Sequence, residues 1–187
     1  MTASASPCPR IAPLPPTGNP AAVQELLDDI ERNGGGPAMN WFRTIAHASG
    51  LLRRYRGFGG KLLSGGKLPH RVRELVVLRT ATLCGCRYEL ARHLPLAAKA
   101  GLTAVEIDEI CVVGRSATTL PPPERAVLRA VDQLCRDHTV DDPTWAELAE
   151  RHPPAELVEL LFLIGHYVMV AGVMNALRIG SEPDGQR

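Results

Sequence analysis

The stretch HRVRELVVLRTATLCGCRYELARHLPLAAKA, residues 70–100, predicts two helices joined by a short turn. Apolar residues recur at helical spacing in its first half, and Gly85 marks a break before the second half. Gly101 suits the left-handed position that ends a helix, while Pro95 predicts a kink or a restart inside the second helix. Two helices so closely connected should fold back on each other as an αα-hairpin.

Helical periodicity recurs elsewhere in the chain, and no stretch keeps the alternation of a strand. Asn19-Pro20 and the T-x-x-E pattern at Thr103 are helix starts, whereas the glycines of 34–36 and 57–66 predict interruptions. The sequence therefore predicts an all-α bundle of about seven or eight helices.

The chain should form a single all-α domain over residues 19–180. Residues 1–18 are rich in Pro, Ser and Ala and lack the apolar run of a signal peptide, so they predict a flexible or loosely attached arm, and 181–187 a flexible tail. The longest apolar stretch, 160–174, is shorter than the roughly 20 residues that span a bilayer. Together with five irregularly spaced cysteines, these features favour a soluble cytoplasmic protein without a membrane partner.

Charge is unevenly distributed in a chain whose net charge is only +1. Between residues 53 and 92, ten Lys and Arg residues stand against two acids, Glu74 and Glu89, which gives that segment a charge of +8. Such a segment is typical of a solvated basic face or of a site for small anions. Nucleic acid is disfavoured as a partner because no aromatic platforms are interleaved with the basic residues.

The last predicted helix is apolar on nearly every side, so it should be buried in the core or against another subunit. Gly165, Gly172 and Ala176 fall on one side and would allow close approach of a second helix, which favours an oligomer. A central core helix explains the same residues nearly as well. Within this helix, His166 and Tyr167 are interpreted as hydrogen-bonded core groups.

Acidic, thiol and imidazole side chains converge on the predicted hairpin. Counting outward from a turn near residue 84, Glu74 lies ten residues before it and His93 nine after it, so the two are level. Glu89 and His93 are i and i+4 on one helix, and Cys86 and Glu89 are i and i+3. These four side chains are predicted to surround one point, as an acid/base and thiol site drawn from two helices.

Each of these residue types suits a task in such a site. A histidine titrates near neutrality, and a carboxylate partner raises its basicity. Cys86 falls in the first turn of its helix, where the macrodipole favours a thiolate, and Tyr88 is a candidate hydrogen-bond donor to a bound anion. Only Glu89 and His93 offer metal ligands and no cofactor motif is present, so neither a metal nor an organic cofactor is expected.

Residues 68–110 resemble the core motif of the carboxymuconolactone decarboxylase and alkyl hydroperoxidase D superfamily. The matching pattern is Leu-Pro, then Arg-x-Arg-Glu-Leu, then Cys-x-Tyr-Glu with a His four residues on, then Gly-Leu-Thr and Glu-Ile. The twelve-residue interval from Glu74 to Cys86 also agrees, and the resemblance extends over about residues 38–180. It implies the alkyl hydroperoxidase D-like fold, a homo-oligomer (dimer, trimer or hexamer), and site roles for Glu74, Cys86 and His93.

The resemblance leaves two chemistries open. Related peroxidases carry Cys-x-x-Cys-x-x-x-His, but Glu89 stands where their attacking thiol belongs. Cys86 with Cys84, across one glycine, is an alternative redox pair for a thiol-dependent peroxidase or disulfide reductase, which would need an electron donor. Related decarboxylases use the Glu and the His without a thiol pair, and deliver a proton to the carbon that CO2 leaves.

We expect the decarboxylase-like chemistry, which is cofactor-free acid/base catalysis on a small anionic carboxylate or lactone substrate. His93 would be the general acid/base, with Glu74 as its partner and Glu89 as a second carboxylate. The residues expected to line the pocket or hold the substrate carboxylate are Cys86, Tyr88, Arg71 and Arg87. A non-catalytic binding module would instead leave Glu74 and His93 facing solvent.

Overall fold

The structure, a computed structural model, describes residues 8–34 and 36–182. Over these ranges it contains nine α-helices, two short 3-10 helices and no strand, which confirms the all-α prediction. The α-helices are α1 Ala21–Gly34, α2 Asn40–Ile45, α3 Ser49–Ser64, α4 His70–Leu83, α5 Arg87–Lys99, α6 Ala104–Val112, α7 Pro122–Asp137, α8 Asp142–Ala149 and α9 Pro154–Leu177. The 3-10 helices are Ala46–Ala48 and Gly114–Ser116.

Two helices pass through residues that predicted interruptions. Helix α3 continues across the glycines between positions 57 and 60, because a glycine inside a helix costs only about 1 kcal/mol and is tolerated. Helix α5 runs through Pro95 without a new start. The capping box predicted at Thr103 is present, with the Thr103 side chain accepting from the Glu106 N–H.

The internal contacts divide the chain into two compact units. The single domain predicted over residues 19–180 therefore stays a prediction. Among the described residues, unit 1 comprises 8–34, 36–60 and 174–182, and unit 2 comprises 61–173. The core of unit 1 includes Leu26, Leu27 and Leu52, all buried.

Residues 8–18 of the predicted N-terminal arm are attached within unit 1. The Arg10 N–H donates to the Leu177 carbonyl at 2.9 Å, and the Leu14 N–H donates to the Arg43 carbonyl at 3.1 Å. Part of the predicted tail is fixed in the same way, since a Glu182 carboxylate oxygen accepts from the N–H of Asn40 at 2.8 Å. The remaining residues of the predicted arm and tail, 1–7 and 183–187, lie outside the described ranges.

Unit 2 is built around α4, in which every residue from Arg73 to Ala81 is buried. Helix α4 packs against α5 and α7. Arg71 pairs with Glu124, and Arg79 pairs with Asp132, so both pairs are separated by the same 53 residues. Helices α4 and α7 therefore run parallel, whereas the short turn at Gly85 makes α4 and α5 antiparallel.

Helix α9 is longer than the apolar stretch that the sequence suggested. It has 24 residues, and its most apolar window has a mean hydropathy of 2.0, so it is long and apolar enough to cross a membrane by length and composition. The apolar stretch 160–174 is itself shorter than a membrane span, but the helix that contains it is not, so helix length does not exclude a span. One such helix is weak evidence for a span, because core helices of soluble proteins meet the same criterion, and half of this window is buried inside the structure.

Candidate active site

The turn between α4 and α5 brings the predicted site residues together. Gly85 has a φ of +62°, a left-handed conformation that glycine adopts without strain. Cys84 ends α4, and Cys86 precedes α5 and donates its N–H to the Ala81 carbonyl at 2.8 Å. The chain thus reverses within three residues, and the two helices lie side by side.

Glu74 of α4 and His93 of α5 are in direct contact, as counting outward from the turn predicts. Glu74 Oε2 lies 2.8 Å from His93 Nδ1, and both side chains are more than nine-tenths buried. A non-catalytic module was expected to leave these two residues facing solvent, and they do not face solvent. The geometry instead supports a site within unit 2.

A second carboxylate approaches the other ring nitrogen of the same imidazole. Glu89, one helical turn before His93, places Oε2 3.2 Å from Nε2, and its side chain is also buried. His93 is therefore held between two carboxylates, one on each ring nitrogen. Glu89 occupies the position beside the histidine at which the related peroxidases would have a thiol.

The protonation of His93 is decided by these two neighbours. Burial alone would lower its pKa, but the hydrogen bonds and charges of Glu74 and Glu89 outweigh burial and raise the pKa to about 9. His93 is therefore an imidazolium at neutral pH, with both ring N–H groups donating. Such a group is a proton donor in its resting state.

Tyr167 of α9 joins the same cluster. Its hydroxyl oxygen lies 3.3 Å from His93 Nε2, and the two rings meet edge to face with centroids 5.5 Å apart. Tyr167 is therefore a buried, hydrogen-bonded group, as predicted, and its partner is the predicted catalytic residue. His166 packs against the Tyr167 ring, and its burial lowers its pKa in spite of the nearby Glu89 charge, so it is a neutral imidazole.

The thiols do not have the electrostatics that the helix position suggested. Burial raises the pKa of the Cys86 thiol, and the Glu89 charge adds to the rise, while the backbone N–H groups of Glu89 and Tyr88 oppose it. Burial also raises the pKa of Cys84. The expectation of a macrodipole-stabilised thiolate at Cys86 was therefore wrong, because desolvation outweighs the helix terminus. Both cysteines are free thiols in the structure.

Arg71, predicted as a carboxylate clamp, is fully occupied elsewhere. Its five N–H donors make five hydrogen bonds, to Glu106, Glu124 and the Gly101 carbonyl. It ties α4 to α6 and α7 and leaves no donor for a ligand.

The other two predicted binding residues differ in their exposure. Arg87 is exposed at the first position of α5, and Tyr88 beside it is buried. Their roles in binding stay predictions. Within residues 8–34 and 36–182, no group of three or more His, Cys, Asp or Glu side chains is placed to hold a metal ion.

Residues 50–133, which include both helices of the hairpin, match the model of the carboxymuconolactone decarboxylase family. The match covers less than half of the 187 residues, so it shows a similarity to this family over the segment that contains the hairpin. The match contains Glu74, Cys86, Glu89 and His93, and it ends before Tyr167. No curated protein matches the chain at a significant level.

Several solved structures share the fold of this chain. An uncharacterized peroxidase-related protein from Silicibacter sp. TM1040 has 16% sequence identity and a TM-score of 0.81, with 98% of each chain covered. An uncharacterized peroxidase-related protein from Ralstonia eutropha JMP134, described as an alkylhydroperoxidase AhpD core, has 18% identity and a TM-score of 0.77, with 93% of this chain and 94% of that chain covered. The debrominase Bmp8 has 16% identity and a TM-score of 0.73, with 92% of this chain and 91% of that chain covered.

Proposed function

We propose that this protein is a cofactor-free acid/base enzyme that decarboxylates a small carboxylated lactone or a similar anion. The observation that carries the proposal is the imidazolium of His93, held between two buried carboxylates. A buried, charged proton donor of this kind is suited to a reaction that creates negative charge on carbon.

The proposed step moves one proton and breaks one carbon–carbon bond. The substrate carboxylate leaves as CO2, and the electron pair that it leaves behind delocalises into the lactone carbonyl. Glu74 holds Nδ1–H of His93, so Nε2–H is the proton that transfers to carbon. His93 becomes neutral and regains a proton from solvent by way of Glu89 or the Tyr167 hydroxyl, both within 3.3 Å of Nε2.

The alternative is a thiol-dependent peroxidase that uses Cys86 with Cys84. The position of the Cys86 thiol beside Glu89 favours a role for it in the same site. The raised pKa values of both thiols count against it, since the nucleophile in such a reaction is a thiolate. The acid/base proposal needs neither thiol.

Replacing both Cys84 and Cys86 by alanine should therefore leave turnover within about threefold of the wild type, because acid/base catalysis draws its rate from positioned proton donors. The measurement is CO2 release from carboxymuconolactone, with the consumption of cumene hydroperoxide in the presence of a dithiol reductant followed in parallel. Cys135→Ala is the matched control for loss of a partly buried thiol. Loss of lactone turnover in the double variant, or hydroperoxide consumption that needs both cysteines, would contradict the proposal.

A cytoplasmic homo-oligomer also remains part of the proposal. One side of α9 exposes large apolar side chains, with Phe162 57% and Met169 49% exposed. Gly165 and Gly172 lie on the same side and would allow another helix to approach closely. A second copy of the chain would remove this apolar surface from water.

A further inference from the structure

Arg73 is a buried cation that immediately precedes the proposed catalytic Glu74 in the sequence. The residue is only 3% exposed, and because the two are consecutive on α4, their side chains project about 100° apart around the helix. A guanidinium stays charged at every pH at which the protein folds. Unit 2 therefore contains a permanent buried positive charge on the helix that carries Glu74.

The hydrogen bonding of Arg73 is far from complete. Its Nη2 donates to the Leu68 carbonyl at 3.0 Å, while its Nε–H is buried and has no hydrogen-bond partner. Among the described residues, no carboxylate lies within the 4.0 Å of Arg73 that would make an ion pair. Arg71 and Arg79 on the same helix, by contrast, each bind carboxylates through two or more N–H groups.

An unpaired charge in a protein interior is strongly unfavourable, and the cost falls when a counter-ion and hydrogen-bond acceptors are supplied. Because no carboxylate among the described residues pairs with Arg73, a bound anion would supply the missing counter-charge. A guanidinium with free N–H groups matches the planar geometry of a carboxylate.

We propose that Arg73 binds a carboxylate of a small anionic ligand, one that the reaction does not remove, and thereby presents that ligand to the Glu74–His93 pair. The ligand class is a compact lactone carboxylate, and in carboxymuconolactone, which has two carboxylates, Arg73 would bind the one that stays. This inference rests on the proposed function for the identity of the reaction, but the binding itself requires no turnover. It replaces Arg71, whose donors are all used, as the carboxylate-binding arginine.

The test uses the wild-type protein first. We expect γ-butyrolactone-γ-carboxylate to shift the Arg73 Nε–H resonance in nitrogen-15 NMR spectra and to slow its exchange with solvent, while neutral γ-butyrolactone does neither. The resonance is assigned by its loss in Arg73→Lys. An Arg73 resonance that the carboxylate probe leaves unchanged would overturn the proposal, whatever the catalytic assays show.

A variant measures the contribution of Arg73 to binding. Arg73→Met keeps the aliphatic stem and removes an unpaired buried charge, so its melting temperature should equal or exceed that of the wild type. The probe should raise the melting temperature of the wild type and of Arg151→Met, an exposed arginine used as control, and bind Arg73→Met at least tenfold more weakly. Equal binding to Arg73→Met would overturn the proposal. Binding without turnover would contradict the proposed reaction but not the proposed binding site.

Discussion

Replacing His93 by glutamine should lower kcat for CO2 release from carboxymuconolactone by about 10²–10⁴-fold, which is the usual contribution of a positioned general acid. Glutamine keeps a side chain whose N–H can donate to Glu74 or Glu89, but an amide proton is not acidic enough to transfer to carbon. KM should change little, because the proposed carboxylate contact is made by Arg73 and not by His93. Steady-state kinetics at neutral pH, with circular dichroism to verify folding, provide the measurement.

The chain offers a matched control for this substitution. His152 Nδ1 lies 3.0 Å from Glu156 Oε2, also an i,i+4 histidine–glutamate pair, on a different part of unit 2. His152→Gln should leave kcat unchanged. A His93→Gln enzyme that retains turnover within tenfold of the wild type would show that His93 is not the proton donor.

Replacing Asp132 by asparagine should lower the free energy of unfolding by roughly 3–5 kcal/mol, the typical cost of leaving one partner of a buried ion pair without its counter-charge. Arg79 Nε and Nη2 donate to the two carboxylate oxygens of Asp132 at 2.6 and 3.2 Å, and Nη1 donates to the Ile110 carbonyl at 3.1 Å. Both side chains are about nine-tenths buried. Denaturant unfolding followed by circular dichroism measures the loss.

The close packing around Arg79 leaves little room for water to replace the lost charge. A Cβ added at Gly114 would lie 2.1 Å from Arg79 Cζ, so the glycine backbone sits directly on the guanidinium. Glu147→Gln is the control, since it breaks the ion pair with Arg129 in which Glu147 is 54% exposed, and it should cost less than about 1 kcal/mol. Equal losses in the two variants would refute the assignment of Arg79–Asp132 as the main buried ion pair.

The local part of the site was predictable from the sequence because it depends on short spacings. The Glu89–His93 contact follows from i,i+4 geometry, and the Glu74–His93 contact follows from counting outward from one turn. The fold class followed from helical periodicity in the same way. These features are encoded within about twenty consecutive residues.

The features that sequence reasoning missed depend on contacts between distant segments. Tyr167 reaches His93 across 74 residues, and within an apolar helix nothing distinguished its hydroxyl from that of a core tyrosine. Glu124 and Asp132, which pair with Arg71 and Arg79, each lie 53 residues further along the chain. The sequence alone could therefore not show that these two arginines bind carboxylates while Arg73 does not. Burial, which raises the pKa of Cys86, is likewise a property of the folded chain.

The charge on His93 also links the site to stability. Its folded pKa of about 9 lies above the ordinary value of 6.5, so the pairing with Glu74 and Glu89 stabilises the fold fully below pH 6.5. That contribution declines as the pH rises through about 9. Turnover by a protonated His93 should decline over the upper part of the same range.

Titration of His93 by NMR, with the imidazole nitrogens labelled, tests the central claim most directly. We predict a pKa of about 9, with both ring nitrogens protonated at pH 7. Spectra of His93→Gln assign the resonance, and Glu74→Gln should lower the pKa because it removes one of the two stabilising charges. A pKa at or below 6.5 would mean that His93 is neutral at physiological pH, and that would contradict its proposed role as the resting proton donor.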